Sequence, residues 1–210
     1  MGRCYFYLLF CIFAGMLSSC ATGSDPGSEE SMNETGEAEL GPDDDCPNKD
    51  QSWTFLFYMV ADDGSQSFDT STARYLNTMP TLPDNVEALV LLDRCATAYW
   101  PIFTTEGQVL DTCAQLYEIQ KDGVPKLLDM APYKLSWLDD SQGDVNMGSA
   151  NTLSSFIRFG MEHTDTTNYG LILAGHGNGD QVGFDSTNDS SLNHSELGFA
   201  LEKAMSNVEQ

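Results

Sequence analysis

Tyr169-Gly170-Leu171-Ile172-Leu173-Ala174-Gly175-His176-Gly177-Asn178-Gly179 is an apolar run of strand length that ends in a histidine held between glycines. A strand without polar alternation belongs in a sheet covered on both faces. A histidine carried by the end of such a strand falls at the crevice where open α/β sheets place their chemistry. Its flanking glycines leave the backbone free to turn sharply and let a ligand approach closely.

The segments before this stretch supply the rest of a sheet. Trp53 to Ala61 (WTFLFYMVA) is nearly continuous in apolar and aromatic residues and breaks at Asp62-Asp63-Gly64. Phe68, Tyr75, Leu76 and Met79 follow at helical spacing and stop at Pro80 and Pro83. Val86 to Leu92 (VEALVLL) is a second buried strand, ending at Asp93. A β-α-β unit of this kind favours a parallel sheet. Leu116 to Gln120 and Lys126 to Met130 flank a turn at 121–125 and read as a small hairpin. Asn151 to His163 places Leu153, Phe156, Ile157 and Met161 on one helical face. Asn193 to Glu196 forms a capping box opening a last helix with Leu197, Leu201, Ala204 and Val208 inward. The order predicts an α/β fold: a three-layer α/β/α sandwich on a mainly parallel sheet. A helix with an apolar face after a third parallel strand calls for a fourth strand, so residues 51–210 read as a domain incomplete at its C-terminus.

Composition narrows the partners. The 210 residues carry 32 acidic against 9 basic side chains, a formal net charge of -23. Such a surface excludes nucleic acid as a partner, because phosphate contacts need Lys and Arg. It suits solubility and the steering of cationic ligands. The N-terminus reads as an export signal. Arg3 precedes a run from Cys4 to Leu17 that is apolar apart from Gly15, too short to span a bilayer comfortably. It closes on Leu17-Ser18-Ser19-Cys20, which resembles a bacterial lipobox, so residues 1–20 read as a lipoprotein signal with Cys20 as the lipidated residue, the alternatives being a generic signal peptide or an uncleaved anchor. Residues 21–50 hold ten Asp and Glu against Lys49 alone and read as a disordered acidic tether. The chain is thus expected in the bacterial cell envelope, lipid-anchored and facing the periplasm or the exterior. In that compartment Cys95 and Cys113 either close a disulfide, worth about 3 kcal/mol, or stay as free thiols, with Cys46 left over in the tether.

The ordered set of segments resembles the clostripain family of cysteine peptidases, in the caspase-like group. The matching pieces are Trp53 to Asp62, the Asp144 to Gly148 lead-in to a helix, Gly170 to Gly177, and Leu192 to Leu197. The resemblance implies a caspase-like sandwich and a catalytic role for His176, partnered by a cysteine at the end of the next strand. That strand would begin just beyond Gln210, and no earlier cysteine matches the family position. An imidazole near a thiol raises its thiolate fraction and protonates the leaving amine. In such a site the Gly177 N–H is a candidate oxyanion donor. Relatives commonly cleave after Arg or Lys, and Asp62 and Asp63 are the nearest acidic candidates for binding such substrates, alongside a helix-capping reading. Some relatives use calcium, although no spaced Asp/Asn calcium loop is present. Between Gly177 and Glu202 there is no Lys or Arg, which argues against self-cleavage there. His163 and His194, at helix ends, are expected to be solvated and non-catalytic. The competing readings are an inactive lipoprotein using the same fold as a binding or scaffold module, and a reactive Cys95 or Cys113 partnering His176.

Overall fold

The computed structural model describes residues 52–62, 64, 66–94, 100–109, 114–128 and 145–206, and the backbone of Tyr5–Phe10. The chain runs β1 (Tyr5–Phe10), β2 (Trp53–Ala61), α1 (Gln66–Asn77), β3 (Val86–Arg94), β4 (Ile102–Thr104), β5 (Gly107–Val109), β6 (Gln115–Ile119) and β7 (Pro125–Leu127). It continues through α2 (Ala150–His163), β8 (Asn168–Gly175), β9 (Gln181–Asp185), β10 (Ser190–Asn193) and α3 (His194–Met205). Six strands form the main sheet in the order β1-β8-β2-β3-β6-β7. The pairs β1·β8, β8·β2 and β2·β3 are parallel, whereas β3·β6 and β6·β7 are antiparallel.

The expected three layers are present. Successive strand side chains point to opposite faces. From β2, Leu56, Tyr58 and Val60 pack with Leu153 and Phe156 of α2 and with Leu197 and Ala200 of α3. The alternate residues Phe57, Met59 and Ala61 pack with Ala73 and Leu76 of α1. Both faces of β2 are therefore covered, which is why its sequence shows no polar alternation. Each leucine so enclosed contributes on the order of 1.5–3 kcal/mol. The Tyr58 and Phe156 rings meet at 5.9 Å, joining sheet to α2. Ser149 caps α2 by accepting from the Asn151 N–H, and Asn193 and Glu196 close the predicted capping box on α3.

Three elements were not foreseen from the sequence. β4 and β5 form a short hairpin beside α1, and β9 and β10 form another directly after His176. Tyr5–Phe10 pairs in parallel along β8, at the edge of the sheet. An export-signal core and an edge strand require the same apolar composition, so this pairing does not bear on the export reading. Among the described residues, no helix is long and apolar enough to cross a membrane.

Candidate active site

Register decides which residues meet. β2 pairs with β3 from Trp53↔Val86 to Ala61↔Arg94, and with β8 from Trp53↔Asn168 to Val60↔Gly175. The carboxyl ends of all three strands therefore finish level. His176 stands one residue past the Val60–Gly175 pair, Asp62 one past Ala61, and Asp93 is opposite Val60. The chain leaves β2 toward α1 on one face, while the chain after β8 proceeds to α3 on the other. A divergence of this kind marks where open α/β sheets commonly bind ligands.

His176 is exposed there. One side of its imidazole is covered by Phe68 from the first turn of α1, with ring centroids 4.9 Å apart and planes tilted by 43°. The His176 carbonyl accepts the Phe184 N–H at 3.0 Å, so the residue's backbone is held by β9. Gly177 bridges Val182 in antiparallel fashion, and the Asn178 N–H donates to the Gln181 carbonyl at 3.2 Å. Neither flanking bond uses the Gly177 N–H. In a non-hydrogen-bonded pair of this kind, the residue's own N–H points outward from the partner strand.

The glycines around His176 prove to be required by the hairpin. A Cβ on Gly175 would meet the Gly183 Cα at 2.8 Å, and Gly183 itself has φ of 67°. A Cβ on Gly177 would clash with the Gln181 carbonyl oxygen. Glycine here lets β9 fold back over the ends of β8 and β2, rather than serving ligand approach alone.

Carboxylates anchor that hairpin. Asp62, buried, accepts from the Ser186 hydroxyl and the Thr187 N–H, both at 2.9 Å, and its carbonyl accepts the Ser186 N–H at 2.6 Å. Asp185, also buried, accepts from the Met147 N–H at 2.8 Å and the Asn188 N–H at 2.9 Å. Met147 is tied again through its carbonyl, which accepts the Tyr58 hydroxyl at 2.7 Å. Burial pushes the Asp185 carboxyl up from its ordinary range. The Asn188 and Met147 hydrogen bonds oppose that shift, and the Asp62 charge adds to it. Burial, with Asp93 and Asp185 close by, pushes the Tyr58 phenol well up, so it remains a donor. Asp62, Asp93 and Asp185 each bring a carboxylate oxygen within 4.8 Å of the others.

The neighbouring residue Arg94 points to the opposite face of β3. It makes a bidentate pair with Asp69 of α1 at 2.6 and 2.9 Å and donates to the Trp100 carbonyl at 2.7 Å. Both partners are fully enclosed. Fork-to-fork geometry with a further carbonyl is the arrangement that offsets the cost of burying the charges.

Of the residues expected from sequence, His176, Gly177 and Asp62 meet at the sheet's carboxyl end. Asp62 lies inside, its carboxylate engaged by the hairpin, so its observed contacts are with the chain itself rather than with an open pocket. Asp63, Cys20, Cys95 and Cys113 lie outside the described residues, and no cysteine falls among those described. His194 is exposed at the start of α3, as expected. His163 departs from expectation: it is half-buried, stacking on Phe159 with centroids 4.9 Å apart. Sequence reasoning missed Asp93, Asp185, Phe68 and the Asp69–Arg94 pair. A charged Asp93-Arg94 couplet ending an apolar strand was the available signal for two of these. For Asp185 the signal was the Ser186-Thr187-Asn188-Asp189 run that follows it, a turn that the reading passed over.

The calcium expectation can be set against these residues. Three clustered carboxylates offer the oxygen donors a hard cation takes, and buried like charges in such proximity are relieved by one. The donor chemistry of Asp62, Asp93 and Asp185 fits that ion.

The sequence profile of the Clostripain family matches residues 57–208. No curated protein matches the chain. Among solved structures, it is similar to a secreted C11 cysteine protease from Bacteroides thetaiotaomicron, determined with an irreversible peptide inhibitor. There the identity is 15% and the TM-score 0.46, covering 73% of this chain and 39% of that one. A B. fragilis cysteine protease shares 17% identity at a TM-score of 0.36, covering 61% of this chain and 91% of that one. The chain thus spans well under half the length of the first of these. With the profile match extending from β2 through α3 and including the His176 crevice, the chain belongs to the clostripain family of cysteine peptidases.

Proposed function

We propose that this chain supplies the histidine half of an endopeptidase site, with the cysteine nucleophile carried by a segment following Gln210. The observation that carries the reading is His176 itself: exposed at the carboxyl end of β8, backbone-held by β9, within the family-matched span. In this reaction the imidazole takes the thiol proton and the thiolate attacks the scissile carbonyl. The carbonyl oxygen becomes an oxyanion facing the Gly177 N–H. His176 then delivers the proton to the leaving amine as the C–N bond breaks, and water hydrolyses the thioester. Protein or peptide substrates with Arg or Lys before the cut are the preferred class, drawn by the chain's acidic excess. The S1 acid remains to be supplied outside the described contacts, because Asp62 is engaged internally.

Calcium, where bound, would be held by Asp62, Asp93 and Asp185 and would supply positive charge that fixes the hairpin. Cys20 lipidation with the 21–50 tether would place the domain at the envelope surface. The test is cleavage of fluorogenic Arg and Lys peptides by the full-length gene product, with His176→Ala alongside. Hydrolysis lost in the variant supports the reading. Hydrolysis absent from the wild type, despite correct folding, supports the binding or scaffold alternative.

A further inference from the structure

A catalytic imidazole must be oriented as well as delivered, since a small misplacement costs far more than the contact that prevents it. His176 lies on the exposed end of a strand and is followed by a glycine, so its side chain needs a support from elsewhere. Phe68 is the ring found against it, at 4.9 Å and 43°. Phe68 is half-buried, its inner part packing on the core beneath α1. Its position is set by its neighbours. The Phe68 carbonyl accepts the Thr72 hydroxyl at 2.9 Å, and the next residue, Asp69, is clamped by Arg94 through two buried bonds. Arg94 is in turn fixed by β3's pairing with β2 and by the Trp100 carbonyl. The first turn of α1 is therefore bolted to the carboxyl end of β3, level with the end of β8 that delivers His176 and separated from it by β2.

We propose that Phe68 is a positioning residue for His176: its ring sets the plane of the imidazole, and the buried Asp69–Arg94 pair holds Phe68 in place. A flat aromatic face at this distance restricts rotation of the imidazole about its own side-chain bonds. Rings separated by 4.5–7 Å in tilted geometry attract beyond simple burial. An aliphatic side chain of similar volume would fill the space without imposing a plane. The catalytic consequence rests on the peptidase reading, but the orientation itself does not.

The chain has three histidines, at 163, 176 and 194, so each imidazole can be followed by nuclear magnetic resonance and assigned with His163→Gln and His194→Gln. In the wild-type full chain, cross-relaxation is expected between the Phe68 ring protons and those of His176, with the latter shifted upfield by the ring. Phe68→Leu should abolish that upfield displacement and replace a single side-chain rotamer with an averaged one. Phe68→Tyr should retain both features. Absence of the wild-type cross-relaxation overturns the proposal and requires no folded variant. An unaltered, single rotamer in a folded Phe68→Leu protein also overturns it. In the full-length gene product, Phe68→Leu should lower kcat on the order of tenfold with KM little changed, and Phe68→Tyr should restore it. Equal kcat for wild type and Phe68→Leu overturns the catalytic consequence. Retained hydrolysis in His176→Ala would instead sink the peptidase reading, leaving the resonance measurements to judge Phe68 alone.

Discussion

The two ends of the sheet are built from different chemistry. At the amino ends of the parallel strands, polar groups close on one another. The Lys121 ammonium donates to the carbonyls of Pro83, Asp84 and Val86 at 2.7 to 3.1 Å. Thr54 shares hydroxyl bonds with Thr164 and Thr166, and the Asn168 amide donates to the Ser52 carbonyl. At the carboxyl ends, Asp62, Asp93 and Asp185 are gathered within a few ångströms while His176 is left exposed above them. One end ties neutral hydroxyls to one another and an ammonium to carbonyls. The other accepts the cost of like charges to hold a hairpin beside His176. The carboxyl end thus combines His176 with buried charged anchors, the Asp69–Arg94 pair among them, whereas the amino end is closed by polar bonds alone.

The sharpest way to break that comparison is to disable each end separately. His176→Ala should lower peptide hydrolysis by the full-length gene product by about 10²–10⁴-fold, the range for loss of a general acid–base, with the thermal midpoint unmoved. A matching loss of stability would show that His176 itself also holds the fold. Arg94→Met removes one partner of a fully enclosed pair and strands Asp69, so urea unfolding should reveal a loss of about 3–5 kcal/mol. A loss below about 1 kcal/mol would mean that the pair is dispensable. Lys121→Met at the far end should cost about 1–2 kcal/mol through its carbonyl bonds and leave hydrolysis unchanged. A fall in kcat there would show that the two ends are coupled.

How much of this was legible follows from the kind of signal each part leaves. β2, β3 and β8 are buried on both faces and announce themselves as unbroken apolar runs. The capping box at Asn193 and Glu196 is written in local chemistry and was found where expected. His176 was legible because it terminates such a run. The hairpin after it was not, because β9 (QVGFD) and β10 (SSLN) carry only three apolar residues between them, although the Ser186-Thr187-Asn188-Asp189 run that joins them is a turn signal. With the hairpin unseen, Asp185 had no place, and Asp62 read as a residue facing ligand. Its role depends on Ser186 and Thr187, more than 120 residues away in sequence. Phe68 belonged to a recognised helix, but periodicity shows only that a ring faces inward, not that a histidine meets it.

The smallest effect concerns pH. Burial raises the Asp185 carboxyl above its ordinary range in the folded protein, against the pull of its Asn188 and Met147 hydrogen bonds. The folded state therefore binds this proton more tightly than the unfolded chain does. The stabilisation from that proton is fully present below the ordinary carboxylate pKa and is lost as pH rises through the folded value. Asp185→Asn has no such proton to lose. The stability difference, wild type minus variant, should fall as pH climbs from the ordinary carboxylate range toward neutrality, as followed by urea midpoints. A difference that rises over that window would mean that the hydrogen bonds outweigh burial. Calcium should reverse the slope in the wild type: a cation among Asp62, Asp93 and Asp185 favours their ionised forms, so its stabilisation grows as protons leave. A slope unchanged by millimolar calcium would show that these three carboxylates hold the hairpin through hydrogen bonds alone.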